Sequence, residues 1–132
     1  MSKYVLLVIN ILVISCENGL SPNLNNIHLQ HTGNINGEYY EFMAINYSSS
    51  RVWFTGYDKD SPIYLTSFMS DTGWVSYGGW CGTGLKDVKL EKNEIIKFIA
   101  RKPNNDYKWR VALLMKNNIE EEVNEIWSPT LD

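Results

Sequence analysis

Cysteine is almost missing from this chain: Cys16 and Cys81 are the only two in 132 residues. At most one intrachain disulfide can form, which excludes the stapled scaffolds of small secreted domains and leaves an apolar core to hold the fold. Histidine is equally scarce, with His28 and His31 alone, and a metal site built on them needs further ligands where only Glu38 and Glu41 are near in sequence. No metal is therefore expected. Charge of one sign is thin as well. The net charge is −3 and Glu120-Glu121-Glu122 is the only block of like charge, which argues against nucleic acid and against an anionic lipid surface as the main partner.

Local catalytic patterns are lacking too. No Ser/His/Asp set, paired-carboxylate motif or cofactor loop can be assembled from neighbouring residues. Gly79-Trp-Cys-Gly-Thr-Gly84 has the outer spacing of a phosphate loop, but Leu85 stands where a lysine is required. Cys81 has no histidine near it in sequence to take its proton. Asp58-Lys59-Asp60 puts a lysine in the centre of what would otherwise be a calcium turn, whose ligand set needs about five or more oxygens. The expectation is a noncatalytic domain without cofactor, although residues distant in sequence can still converge.

Apolar length is concentrated at the start. One cation, Lys3, precedes the run from Tyr4 to Ile14, which is broken only by Asn10 and gives way at Ser15-Cys16 to Glu17-Asn18-Gly19. The run falls short of the ~20 residues that a bilayer span needs. Its layout is that of an export signal; the competing reading, a buried first strand, has no alternation behind it. The end of the run, Val13-Ile14-Ser15-Cys16, resembles a bacterial lipobox, and the resemblance covers only residues 1–16. It implies a signal peptide over 1–15, lipid attachment at Cys16, and a bacterial envelope protein held to membrane by covalent lipid. Two or more acyl chains give stable anchoring. Glu17 after the cysteine resembles the sorting pattern of outer-membrane lipoproteins. Ordinary signal-peptidase cleavage is the alternative, and if Cys16 carries no lipid a Cys16–Cys81 bridge becomes available. The two readings exclude each other.

Removal of the leader leaves enough chain for one domain. Residues 16–37 are rich in Asn, Ser and Gly and read as a tether. From residue 38 to 132 short β-branched and aromatic runs recur between turn signals, which predicts one all-β domain: an antiparallel β-sandwich, loosely immunoglobulin-like. Glu41–Tyr47 and Arg51–Tyr57 read as strands joined across Ser48-Ser49-Ser50, and Asp87–Leu90 and Ile95–Ala100 as a hairpin across Glu91–Glu94. In Ile95–Ala100 the pattern turns Ile96, Phe98 and Ala100 inward; in Tyr107–Met115 it sets Tyr107, Trp109, Val111, Leu113 and Met115 opposite Lys108 and Arg110. Ile119, Val123 and Trp127 fit one face of a strand, and with Ile126 they also fit a helical stripe; the strand is preferred because an all-β chain has an edge to extend.

Aromatics are what the chain has in quantity: eight Tyr, five Trp and four Phe. Tyr57, Tyr64, Trp74, Tyr77 and Trp80 fall close together, and alternating strands cannot turn all of them inward. Exposed Trp and Tyr suit protein-binding hot spots, and their flat faces also stack on sugar rings. These five residues are the expected binding surface. The expected function is recognition of an envelope protein through an aromatic-bearing face, the alternative a carbohydrate-binding module for cell-wall or surface glycan.

Overall fold

The computed structural model describes residues 24–78 and 83–132. The expected signal peptide, Cys16, the start of the expected tether, Trp80 and Cys81 lie outside the described residues. Among the described residues there are nine strands: β1 (Ile27–Asn36), β2 (Tyr39–Asn46), β3 (Val52–Gly56), β4 (Tyr64–Ser70), β5 (Gly73–Tyr77), β6 (Lys86–Leu90), β7 (Ile95–Arg101), β8 (Trp109–Lys116) and β9 (Asn124–Trp127). One 3-10 turn, Leu24–Asn26, precedes them, and no α-helix occurs among the described residues. All strand pairs are antiparallel, and the strands form two sheets packed face to face, the β-sandwich that the alternating sequence predicts.

The smaller sheet runs β1-β2-β7. The larger one has six strands in four ranks. β9 follows one edge of β8, while β3 and β4 share the other edge end to end, since Phe54 pairs with Met115 and Tyr64 with Leu113. β6 and β5 flank β3 and β4 in the same way. β3 and β4 thus behave as one long strand from which residues 57–63 loop out, with Gly56 bridged to Pro62 at the base. That closure requires glycine: a Cβ on Gly56 would lie 2.8 Å from the Ser61 carbonyl oxygen and 2.9 Å from Pro62 Cα, and backbone cannot yield as a flexible side chain can.

Period-two alternation builds the core. Ile96, Phe98 and Ala100 on β7 point inward as expected, against Val52, Phe54, Val88, Leu90 and the β8 row Trp109, Val111, Leu113 and Met115. Trp109 is fully buried, with the rings of Tyr40 and Phe42 edge-on at 5.1 and 5.8 Å, and Phe42 stacks on Phe98 at 5.7 Å. Each such pair adds ~0.5–1.5 kcal/mol beyond the burial of its area.

The two expected hairpins are not hairpins. β2 and β3 lie in different sheets, as do β6 and β7, so the links 47–51 and 91–94 both cross from sheet to sheet. Alternation says which face of a strand is buried; it is silent on which strand lies alongside. The crossings are fixed instead by Asn46, whose side chain is fully buried at the end of β2. Its Nδ2 donates to the carbonyls of Ser50 and Leu90 at 2.9 and 3.0 Å, and its Oδ1 accepts from the Ser48 N–H and hydroxyl at 2.9 and 2.6 Å. The Asn46 carbonyl accepts from the N–H of Asn93 at 2.7 Å, and Asn93 itself turns with φ 65°, a left-handed conformation that asparagine tolerates. One side chain ties both crossings together.

Two further expectations need correction. Residues 24–36, expected as the far part of the tether, form the 3-10 turn and β1, with Leu24, Ile27 and Leu29 in the core; three well-placed apolar residues and pairing to β2 order a segment whose composition is otherwise polar. Near the C-terminus the strand alternative holds, but β9 covers only Asn124–Trp127, with Ile126 buried, while Ile119 and Val123 are exposed in the preceding link. Pairing of Leu113 with Ile126 sets that phase, because Leu113 faces the core.

Candidate functional site

The face of the larger sheet turned away from the sandwich carries an unusual set of side chains. On β8 the inward row leaves Arg110, Ala112, Leu114 and Lys116 for the outer face, and register then places Ser67 on β4, Ser76 on β5, Trp127 on β9 and Trp53 on β3 beside them. Trp74, two residues before Ser76, shares that face. Of the tryptophans among the described residues, Trp109 is in the core and Trp53, Trp74 and Trp127 are all on this outer surface.

Small residues make room for the large ones. Ser67 and Ala112 are fully buried under the layer, and the Ser76 hydroxyl donates to that of Ser67 at 3.2 Å. Over this floor the Arg110 guanidinium lies between two indoles, its central carbon 4.1 Å from the Trp74 ring centre and 4.2 Å from that of Trp127. Cation–π attraction holds it there. Arg51, Lys59, Arg101 and Lys116 each pair with a carboxylate, but no carboxylate among the described residues pairs with Arg110, and its Nε is buried without a hydrogen-bond partner. At the other end of the face, Trp53 is flanked by the Arg51 guanidinium at 6.0 Å and the Lys89 ammonium at 5.7 Å.

The five aromatic residues expected as one binding surface do not share a face. Trp74 is on the outer surface, 37% exposed, while Tyr64 and Tyr77 sit on the opposite side of the same sheet, Tyr64 with its ring 5.5 Å from Phe98 and Tyr77 6.2 Å from Phe68. Tyr57 opens the 57–63 loop, and Trp80 lies outside the described residues. The cause is the alternation itself: Trp74 and Tyr77 are three apart on one strand and must face opposite ways. Tyr64 and Tyr77 do meet, on neighbouring strands, where they line an open groove of about 370 Å³ with Thr66, Arg101, Lys102 and Asn104. Burial pushes the Tyr77 phenol above its ordinary range, the neighbouring Tyr64 adds to this, and Arg101 opposes it.

Comparison with protein-family models, with curated proteins and with solved structures finds no match to this chain.

Remaining candidates resolve into structural roles. His28 and His31 fall on opposite faces of β1, one edge-on to Tyr47 at 4.8 Å and the other beside Tyr40 and Phe42, and no group of metal-ligating side chains gathers among the described residues. Asp58 accepts from the Asp60 N–H at 2.8 Å, closing its own turn. Lys59 donates to the Glu94 carboxylate, and the Glu91 N–H donates to the same group at 2.9 Å; in that order they hold the Glu94 carboxyl below its ordinary 4.5. The unfolded chain then takes up this proton more readily than the folded one. The stabilisation is complete above pH about 4.5 and lost as pH falls through the lower folded value. Thermal melts from about pH 6 down to 3 should therefore fall more steeply for the natural chain than for Glu94→Gln. Parallel curves would show that this carboxylate contributes nothing.

Proposed function

We propose that the chain is an exported, lipid-anchored, noncatalytic domain of a bacterial envelope that binds a protein partner through the outer face of its larger sheet. The observation that carries the binding half is the Arg110 guanidinium held between Trp74 and Trp127 with no carboxylate partner among the described residues. Tryptophan and arginine dominate the few residues that supply most interface energy, and a guanidinium already held in place loses little freedom on binding. The partner presents an Asp or Glu side chain to this arginine, since two parallel N–H···O bonds match the two oxygens of a carboxylate. Stacking of a sugar here is less well supported, because the guanidinium covers the facing sides of both indoles.

The anchoring half rests on the Val13-Ile14-Ser15-Cys16 pattern and is tested separately. Cys16→Ser should move the chain from the detergent phase to the aqueous phase on phase separation; equal partitioning of the two forms would remove the lipid from the account. The binding half is tested by affinity capture from envelope extracts with the natural chain, Trp74→Ala and Arg110→Ala as bait. One protein retained by the first and lost by the other two is expected, and equal retention by all three would exclude this face.

A further inference from the structure

The groove on the inner side of the larger sheet plays no part in that reading and has a different chemistry. It is lined by the start of β4 and the end of β5, together with the last residue of β7 and the start of the β7–β8 link. One wall is aromatic: Tyr64 and Tyr77, with Tyr77 47% exposed although it faces the inner side. Thr66, two residues after Tyr64 on β4, is opposite Tyr77 across the β4–β5 pair. The other wall is Arg101 and Lys102, with Asn104 beyond them.

Size, shape and charge narrow the occupant. About 370 Å³ is at the lower end of small-ligand sites and holds one or two sugar rings. A flat apolar wall bordered by hydroxyl, amide and cationic donors matches a pyranose, which has an apolar C–H face and a polar rim. No carboxylate lines the groove, whereas two cations do, in a chain of net charge −3. Arg101 shares its charge with Glu38 at 3.1 Å, but Lys102 has no acidic partner among the described residues. The local field therefore favours an anion. The Tyr77 phenol, protonated near neutral pH as tyrosine ordinarily is, can donate to an anionic oxygen.

We propose that this groove binds a carboxylate-bearing pyranose of a polysaccharide, the ring against Tyr77 and the carboxylate towards Lys102 and Arg101. The site is separate from the Trp74–Arg110–Trp127 face and stands or falls independently of it. The test is calorimetric titration of the full chain with a glucuronic acid hexasaccharide, a neutral glucose hexasaccharide and inorganic phosphate. Binding of the acidic oligosaccharide alone is expected. Lys102→Gln, a change at a side chain with no ion pair among the described residues, should weaken it by about tenfold. Tyr77→Ala should weaken it at least as much, and Ile119→Ala, an exposed apolar change away from the groove lining, should leave it unchanged. Equal binding of the neutral oligosaccharide would overturn the charge assignment, and equal binding of phosphate would overturn the sugar. No binding of the acidic oligosaccharide, or binding indifferent to Lys102→Gln, would overturn the site.

Discussion

Asn46→Ala should unfold the domain at a much lower urea concentration than the natural chain, a loss of about 3 kcal/mol. Truncation removes four hydrogen bonds at once, to the carbonyls of Ser50 and Leu90 and from the N–H and hydroxyl of Ser48. Ser48 and Leu90 are buried, so little water reaches their freed groups, whereas the exposed Ser50 can turn to solvent; an unpaired buried polar group costs ~1–3 kcal/mol. Ser48 retains the Ser50 carbonyl as an acceptor at 2.7 Å, which is why the sum stays below four full penalties. Asn46→Asp should fail as well, because it keeps the acceptor, loses both donors and buries a charge. Urea titration followed by tryptophan fluorescence reads the effect directly, and a loss under ~1 kcal/mol would mean that the crossings are held by something other than this side chain.

Arg110→Ala should weaken binding of the purified partner by about thirtyfold or more, which is ~2 kcal/mol, while costing the fold only ~1–2 kcal/mol. The asymmetry follows from position. Among the described residues the guanidinium has two cation–π contacts and no ion pair; at an interface it would gain a carboxylate in a setting that the flanking indoles keep dry. Trp74→Ala should act in the same direction through loss of both anchor area and the support of Arg110. Ile99→Ala, an exposed apolar change on the smaller sheet, should leave affinity as it was. Calorimetry with each variant, alongside its melting temperature, separates lost recognition from lost folding.

The sandwich was legible in the sequence because each half-buried strand repeats at period two. The inward sets of β7 and β8 follow directly from Ile96, Phe98 and Ala100 and from Trp109 through Met115. Arg110 was legible too as an outward residue, but not its importance, since the rings that enclose it come from positions 74 and 127 and nothing in the local pattern says that β4, β5, β8 and β9 lie in one sheet. Trp127 was readable as a strand residue near the end of the chain; its place beside Arg110 depends on register with Ala112. Nearness in sequence was the wrong guide for the aromatic set, because Trp74 and Tyr77 are close along the chain and on opposite sides of the sheet. Asn46 was hidden for a related reason: it reads as one residue of a strand before the serine turn, and the Leu90 carbonyl that it also holds is 44 residues away in sequence.

The central claim is that Arg110, presented between Trp74 and Trp127, meets a carboxylate of a protein partner. A double-mutant cycle measures this most directly, with Arg110→Ala on one side and each interface Asp→Ala or Glu→Ala of the captured partner on the other. One acidic residue should show a coupling of at least ~1.5 kcal/mol with Arg110. Additive losses at every acidic position, with both proteins still folded, would contradict it.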